Sequence, residues 1–374
     1  MTPRALPVIV LACIGLVAAL ALPFVYVTPN RLLSGEAHSA HVVLLASTWL
    51  LVAVLGVMRF SGTRVAVASV AWLLVVGLPL LASMDARSLL LTATPSARVP
   101  LGVGFWLMWL AAALLLLDRL RGVRLSGRIA AWLTLLVVIT ATAMSGTFDR
   151  LALVREFRAQ RVPFMDALLT HLTLAATTLV LALLIGAPLG WWAWRARRTD
   201  GTVVRLLAFL QTVPSLALFA LLIGPFAWLA HAWPALGAIG FGGTGAAPAV
   251  FALVLYALLP VVRYTIAGLG AVPADTREAA RGLGMSRLQV LSRVQLPLGW
   301  PVLLAGLRIV AVQTIGLAAV ATLIGAGGLG RFVFLGIGQG ANDMVMLGTL
   351  AIIALALTVD LLFQAMLALT ERRP

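Results

Sequence analysis

The residues with the most to say about chemistry lie at 275–297, Asp-Thr-Arg-Glu-Ala-Ala-Arg-Gly-Leu-Gly-Met-Ser-Arg-Leu-Gln-Val-Leu-Ser-Arg-Val-Gln-Leu-Pro, a polar stretch between apolar runs at 248–270 and 298–324. Asp275 is placed to cap one short helix, with Glu278 three residues on completing a capping box. Gly282 and Gly284 supply the break that ends it. Ser286 and Gln289 repeat the pattern for a second helix, in which Leu288, Leu291 and Val294 recur at helical spacing. Pro297 is expected to stop that helix before the next apolar run. Two capped helices joined by glycines would form a stiff protrusion that can transmit force, where a floppy loop cannot; the alternative is an ordinary ordered loop. The segment also has the look of a DNA-reading helix-turn-helix in a chain of net charge +15. Its flanks speak against that, because a recognition helix has no place between two membrane spans, and no nucleic-acid partner is expected.

Other chemistry is sparse. All 27 basic residues are arginine, which excludes a P-loop lysine and a lysine Schiff base. Cys13 stands alone, so there is no internal disulfide. His38, His41, His171 and His231 are scattered without ligand spacing and suit loop or membrane-edge roles; no metal and no cofactor is expected. Gln211, Thr212, Pro214 and Ser215 form a polar cluster early in an apolar run. Pro214 also frees a backbone carbonyl there, so the cluster suits either a translocation path or helix–helix hydrogen bonding. Tyr256 begins a second such stretch, Tyr256 to Arg263. Arg263, Arg308 and Asp360 are charges inside apolar runs, and Asp360 is expected to pair with Arg308 or Arg263. Gly325–Gly330 holds four more glycines without a lysine, which suits a tight re-entry, a close helix contact or a hinge at an outer mouth. Trp191, Trp192 and Trp194 precede Arg195, Arg197 and Arg198. They read as an interfacial belt against lipid rather than an aromatic cage.

The elements that must position these residues are membrane spans. The chain is 62% hydrophobic and 10% charged, more apolar surface than a soluble fold can hide, so an all-α polytopic membrane protein is expected. About 20 apolar residues cross a bilayer. That length gives ten candidate spans, near 5–27, 41–58, 65–84, 101–117, 129–145, 167–194, 206–232, 248–270, 300–324 and 344–368. The first also has features of a signal peptide, but its apolar length exceeds a signal core. With the N-terminus inside, seventeen arginines fall on inner segments and eight on outer ones, which puts both termini and residues 275–297 in the cytoplasm. The chain then divides into a five-span region at 1–145, an external connector at 146–165 and a second five-span region at 166–370. In the connector, Leu151, Val154 and Phe157 or Arg158 fall at helical spacing and suit an amphipathic helix, with a solvated linker as the alternative.

Glu278-Ala279-Ala280, Gly284 and Val294-Gln295-Leu296-Pro297 resemble the EAA motif of ABC importer permeases, with Val294 in place of the usual isoleucine. The resemblance covers the second half of the chain. The Gln211–Ser215, Tyr256–Arg263, Gly306-Leu307-Arg308 and Gly325–Gly330 stretches are similar to the glycine betaine and osmoprotectant branch. The resemblance implies that the C-terminal five spans form a type-1 permease core. In it, Glu278, Ala279, Ala280, Gly284, Val294, Leu296 and Pro297 would couple to a separate ABC ATPase subunit. Implied partners are a second permease subunit, identical or related, and a separate substrate-binding protein, in a bacterial cytoplasmic (inner) membrane. The chain would be the pore and not itself an enzyme, working by alternating access. The five N-terminal spans depart from the minimal permease. The rival expectation, an ion-coupled secondary transporter with ten spans, calls for similar halves and a midplane ionisable cluster. The halves look unlike.

Overall fold

A computed structural model describes residues 6–30, 33–58, 62–121, 123–196, 201–238 and 240–371. Arg4, Arg31, Arg59, Arg197, Arg198, Arg372 and Arg373, used above for orientation, lie outside the described residues. Contacts divide the chain into two compact units, residues 1–160 with 339–343, and residues 161–338 with 344–374.

The first unit contains α1 (Leu6–Ala21), α2 (Val42–Val57), α3 (Thr63–Leu89), α4 (Val103–Leu120), α5 (Leu125–Met144) and α6 (Ala152–Ala159). A small antiparallel ribbon joins β1 (Val25–Val27) to β2 (Glu36–His38). The ribbon was not legible as strands because each is three residues long. Trp49 is fully buried in the core of this unit, with Phe24, Leu78, Met108 and Leu115. A Cβ on Gly15 would come within 2.2 Å of the Trp49 ring, so α1 approaches α2 only because that side chain is absent. Helix α6 occupies the expected amphipathic stretch, and its buried face holds Glu156, which takes Arg98 at 2.8 Å. His41 sits 2.9 Å from Asp85 in a second polar contact of this unit.

The second unit contains α7 (Arg161–Arg195), α8 (Thr202–Thr212), α9 (Ser215–Ala232), α10 (Pro234–Ala238), α11 (Ala246–Gly270), α12 (Ala274–Gly282), α13 (Arg287–Val290), α14 (Leu296–Val320), α15 (Gly330–Gln339) and α16 (Asn342–Glu371). Helix α11 is its axis: it packs on α7, α8, α9 and α14, and most of its residues are buried. Close approach is made by small residues. A Cβ on Gly299 of α14 would lie 2.3 Å from the Gly268 carbonyl of α11, and one on Gly306 would lie 2.1 Å from the Tyr264 ring. Interfaces between membrane helices favour such absences, since hydrocarbon gives no hydrophobic drive to associate.

Among the described residues, eight helices are long and apolar enough to cross a membrane. The chain is a polytopic all-α membrane protein. Helices α1 and α2, with 16 residues each, are shorter than the runs that suggested them. The expected seventh span is two helices rather than one. Thr212 ends α8 and Ser215 begins α9, because Pro214 cannot donate into the ladder and pushes Val213 into extended backbone at ψ 127°. Helix α7 begins at Arg161, earlier than the expected start of its span, and runs through Pro188.

Candidate functional site

The 275–297 stretch is two short helices linked by a tight turn. Asp275 does not cap the first. Helix α12 begins at Ala274 after Pro273, whose backbone (φ −54°, ψ 147°) sets the entry, and no side chain makes a cap hydrogen bond. Asp275 falls in the first turn, where its charge still meets the positive end of the helix dipole. The helix closes as a Schellman motif. Met285 N–H reaches the Ala280 carbonyl at 3.2 Å and Gly284 N–H the Arg281 carbonyl at 2.9 Å. That closure needs a left-handed residue, and Gly284 supplies it at φ +79°. Gly282 is the last residue of the helix and has no such need.

The second helix has the capping box on Ser286. The Ser286 hydroxyl accepts from Gln289 N–H at 3.3 Å, and Gln289 Oε1 accepts from Ser286 N–H at 2.7 Å. It does not stop at Pro297. A single π-turn, Leu291–Gln295, carries it into α14, giving one continuous helix over Arg287–Ile324. Proline cannot donate to the carbonyl four residues back and crowds it, and a wider turn just before it relieves both problems. The expected stripe Leu288, Leu291 and Val294 is correspondingly broken. Leu288 is 73% exposed, whereas Val290 is the buried contact of α13. On α12, Glu278 and Ala279 face outward and Ala280 inward, and Leu283 at the tip is 80% exposed. Gly284, Leu296 and Pro297 are exposed and Val294 is half-buried.

The cluster at the break of span seven is cross-braced to α11. Gln211 Nε2 donates to the Tyr256 carbonyl at 2.8 Å, and the Tyr256 hydroxyl donates to the Val213 carbonyl just before Pro214. Thr212 turns back to its own helix at Phe209. Thr212 and Pro214 are exposed, Ser215 is half-buried and Tyr256 is buried.

Arg308 on α14 and Asp360 on α16 meet as a fork. Arg308 Nε lies 2.5 Å from Oδ1 and Nη2 lies 2.9 Å from Oδ2, and Gln364 adds a bond of 2.6 Å to Oδ2. Arg263, on an exposed face of α11, is not part of this pair.

His171 is not in a loop. It is fully buried in α7, its Nε2 donates to the Ile315 carbonyl at 3.0 Å, and its Nδ1 accepts from Leu329 N–H at 3.3 Å. One neutral imidazole thus ties α7 to α14 and to the glycine-rich turn. In that turn Gly325, Gly327 and Gly328 have φ of +81°, +78° and +84°, and a Cβ on Gly330 would meet the Ala319 carbonyl at 1.9 Å. The signal for His171 was its place on the helical stripe Ala167, His171, Leu174, Thr178, Ala182, all of which are buried.

These features define an integral membrane protein with a structured polar loop between two of its long helices, the architecture of a transport permease. Residues 182–374, just over half of the chain, match the family described as binding-protein-dependent transport system inner membrane component, and the chain belongs to that family of ABC importer permeases. Residues 4–154 match the domain described as ABC transporter permease YehY, N-terminal domain. The osmoprotectant import permease protein OsmW of Salmonella typhimurium is 39% identical over 203 residues, 54% of this chain and 89% of that protein. The choline transport system permease protein OpuBB of Bacillus subtilis is 32% identical over 203 residues, 54% of this chain and 84% of that protein. Among solved structures, an inward-facing form of the methionine ABC transporter MetNI aligns with a TM-score of 0.48 at 19% identity, over 57% of this chain and 98% of that one.

Proposed function

We propose that this chain imports glycine betaine, choline or a related quaternary-amine osmoprotectant, driven by ATP that a separate subunit hydrolyses. The observation that carries the coupling role is the 275–297 loop: a short helix closed by a Schellman motif, a capped second helix, and no break between that second helix and α14. Glu278, Ala279 and Gly284 form the docking face for the ATPase, and Ala280 packs inward beneath it to hold that face in place. Val294, Leu296 and Pro297 pass its displacement into α14. The continuous helix makes this a lever, because a push at the tip cannot be absorbed by a flexible linker. The names of OsmW and OpuBB support the substrate class.

Transport then proceeds by alternating access, with nucleotide-driven closure of the ATPases favouring one arrangement of the helices over the other. The broken span seven, with Gln211, Thr212, Pro214, Ser215 and Tyr256, borders the translocation path. The Arg308–Asp360 pair holds α16 to α14, and Arg263 snorkels towards the inner surface. A second permease copy or relative completes the pore, and a separate binding protein delivers substrate from outside. Both termini lie in the cytoplasm. The test is Gly284→Asp in the assembled transporter, reconstituted with its ATPase and binding protein. ATP-dependent uptake of labelled glycine betaine and choline is lost while the protein still reaches the membrane. Normal uptake by this variant would overturn the coupling role.

A further inference from the structure

We propose that the cleft between the end of α7 and the α12–α13 loop binds the phosphate head of an anionic phospholipid, with an acyl chain in the apolar cleft beside it. The first cleft, about 740 Å³, is lined by Arg195, Arg281 and Arg287 together with Trp191, Trp194 and Gln295. No carboxylate lines it, and none of these arginines makes an ion pair among the described residues. One buried donor of the lining points to a missing acceptor. Gln295 is 4% exposed, and its Nε2 has no hydrogen-bond partner. A buried donor of this kind is destabilising unless something accepts from it. Three guanidiniums in the same lining, none of them ion-paired among the described residues, select a group with several anionic oxygens.

The neighbouring cleft distinguishes a lipid from a soluble anion. It measures about 590 Å³ and is almost wholly apolar, with Leu183, Trp300, Leu303 and Leu307 in its lining. Trp191, Leu288 and Leu291 line both clefts, so the cationic and apolar spaces adjoin. A free phosphate would use only the first space, whereas an amphiphile uses both. The aromatic faces also argue against a choline head. Trp191 already carries the Arg195 guanidinium at 5.5 Å, and Trp194 carries that of Arg277. Basic pockets between membrane helices are suited to anionic headgroups in the same way. The site does not rest on the coupling role. Of the residues assigned to the ATPase docking face none lines either cleft, and of those assigned to passing on its displacement only Leu296 does.

The full chain, purified in an uncharged detergent without its partners, is offered phosphatidylglycerol, phosphatidylcholine or inorganic phosphate. Retained lipid is then counted by native mass spectrometry. Phosphatidylglycerol is kept in preference to phosphatidylcholine, and millimolar inorganic phosphate does not displace it. Arg195→Gln with Arg287→Gln lowers its affinity about thirtyfold, the loss of two interfacial arginines. Arg195→Lys with Arg287→Lys retains most of it. Neutralising two exposed arginines elsewhere, Arg121→Gln with Arg128→Gln, leaves it unchanged. Should the first pair disturb folding, Gln295→Leu and the cleft-filling Leu303→Trp carry the test, and each weakens retention. Equal retention of the two lipids, equal loss from the control pair, or displacement by phosphate at matched concentration would each overturn the proposal.

Discussion

A guanidinium in the middle of a membrane helix is tolerated only where something answers its charge and its five donors. Arg308 has its Nε and one Nη2 donor answered by a single carboxylate on another helix, and Gln364 holds that carboxylate from the far side. Asp360→Ala therefore leaves an arginine with no partner, at a cost of about 2.5–3.5 kcal/mol on insertion scales. The expected result is a lower melting temperature in detergent and a reduced membrane yield. Exchanging the two residues, Arg308→Asp with Asp360→Arg, recovers much of the loss. If Asp360→Ala melts with the wild type, the pair has no structural role. Charges inside apolar runs stand out in a sequence, so these two residues could be picked without coordinates. The bonds of His171 and Tyr256 could not, because they end on the carbonyls of Ile315 and Val213 and on the N–H of Leu329, and backbone groups leave no mark in a residue string.

At the scale of helices, the close crossing of α11 and α14 rests on side chains that are absent. Gly299 and Gly316 lie on the same helix and give an internal comparison. A Cβ at 299 would strike the Gly268 backbone, whereas one at 316 meets nothing within 4 Å. Gly316→Ala is thus expected to be neutral or to stabilise by roughly 0.5–1 kcal/mol, as alanine replaces glycine inside a helix. Gly299→Ala must push α14 away from α11, and is expected to destabilise by about 1–3 kcal/mol through overpacking. Thermal unfolding of the two variants in one detergent checks the difference. Equal melting temperatures would mean that the crossing has slack. Helix content was readable from apolar run length, and the second cap from Ser286 and Gln289. Interruptions were harder. Pro214 does split its span, yet Pro188, Pro260 and Pro301 lie inside unbroken helices. Pro297 produces a wide turn instead of an end. A proline's outcome depends on whether neighbouring helices and a local change of pitch can satisfy the freed carbonyl, which is decided by packing and not by the residue itself.

For the whole molecule, the side of the membrane that each loop faces decides which partners it can meet. OsmW and OpuBB align with 54% of the chain, and the N-terminal region has a family description of its own, so this permease carries an added membrane domain. The arginine asymmetry assigns 275–297 to the cytoplasm, yet it sets Arg150, Arg155, Arg158 and Arg161 on the outer side, against the general rule. The structure pairs two of the arginines counted on that side with carboxylates, only one of them from this cluster. Arg158 pairs with Asp149 at 2.6 Å, and Glu156 is engaged by Arg98. Arg158 and Arg98 are thus paired, whereas Arg281, Arg287 and Arg293 of the 275–297 loop are exposed. The test uses the chain without its ATPase, with the exposed Cys13 changed to alanine and one cysteine introduced at either exposed position, Leu283→Cys or Thr244→Cys. A membrane-impermeant maleimide is expected to label position 283 only in inside-out vesicles and position 244 only in right-side-out ones. The opposite pattern would put the loop out of reach of any cytoplasmic ATPase. It would also mean that the four arginines between 150 and 161, not the seventeen counted on the other side, decide how the chain is threaded.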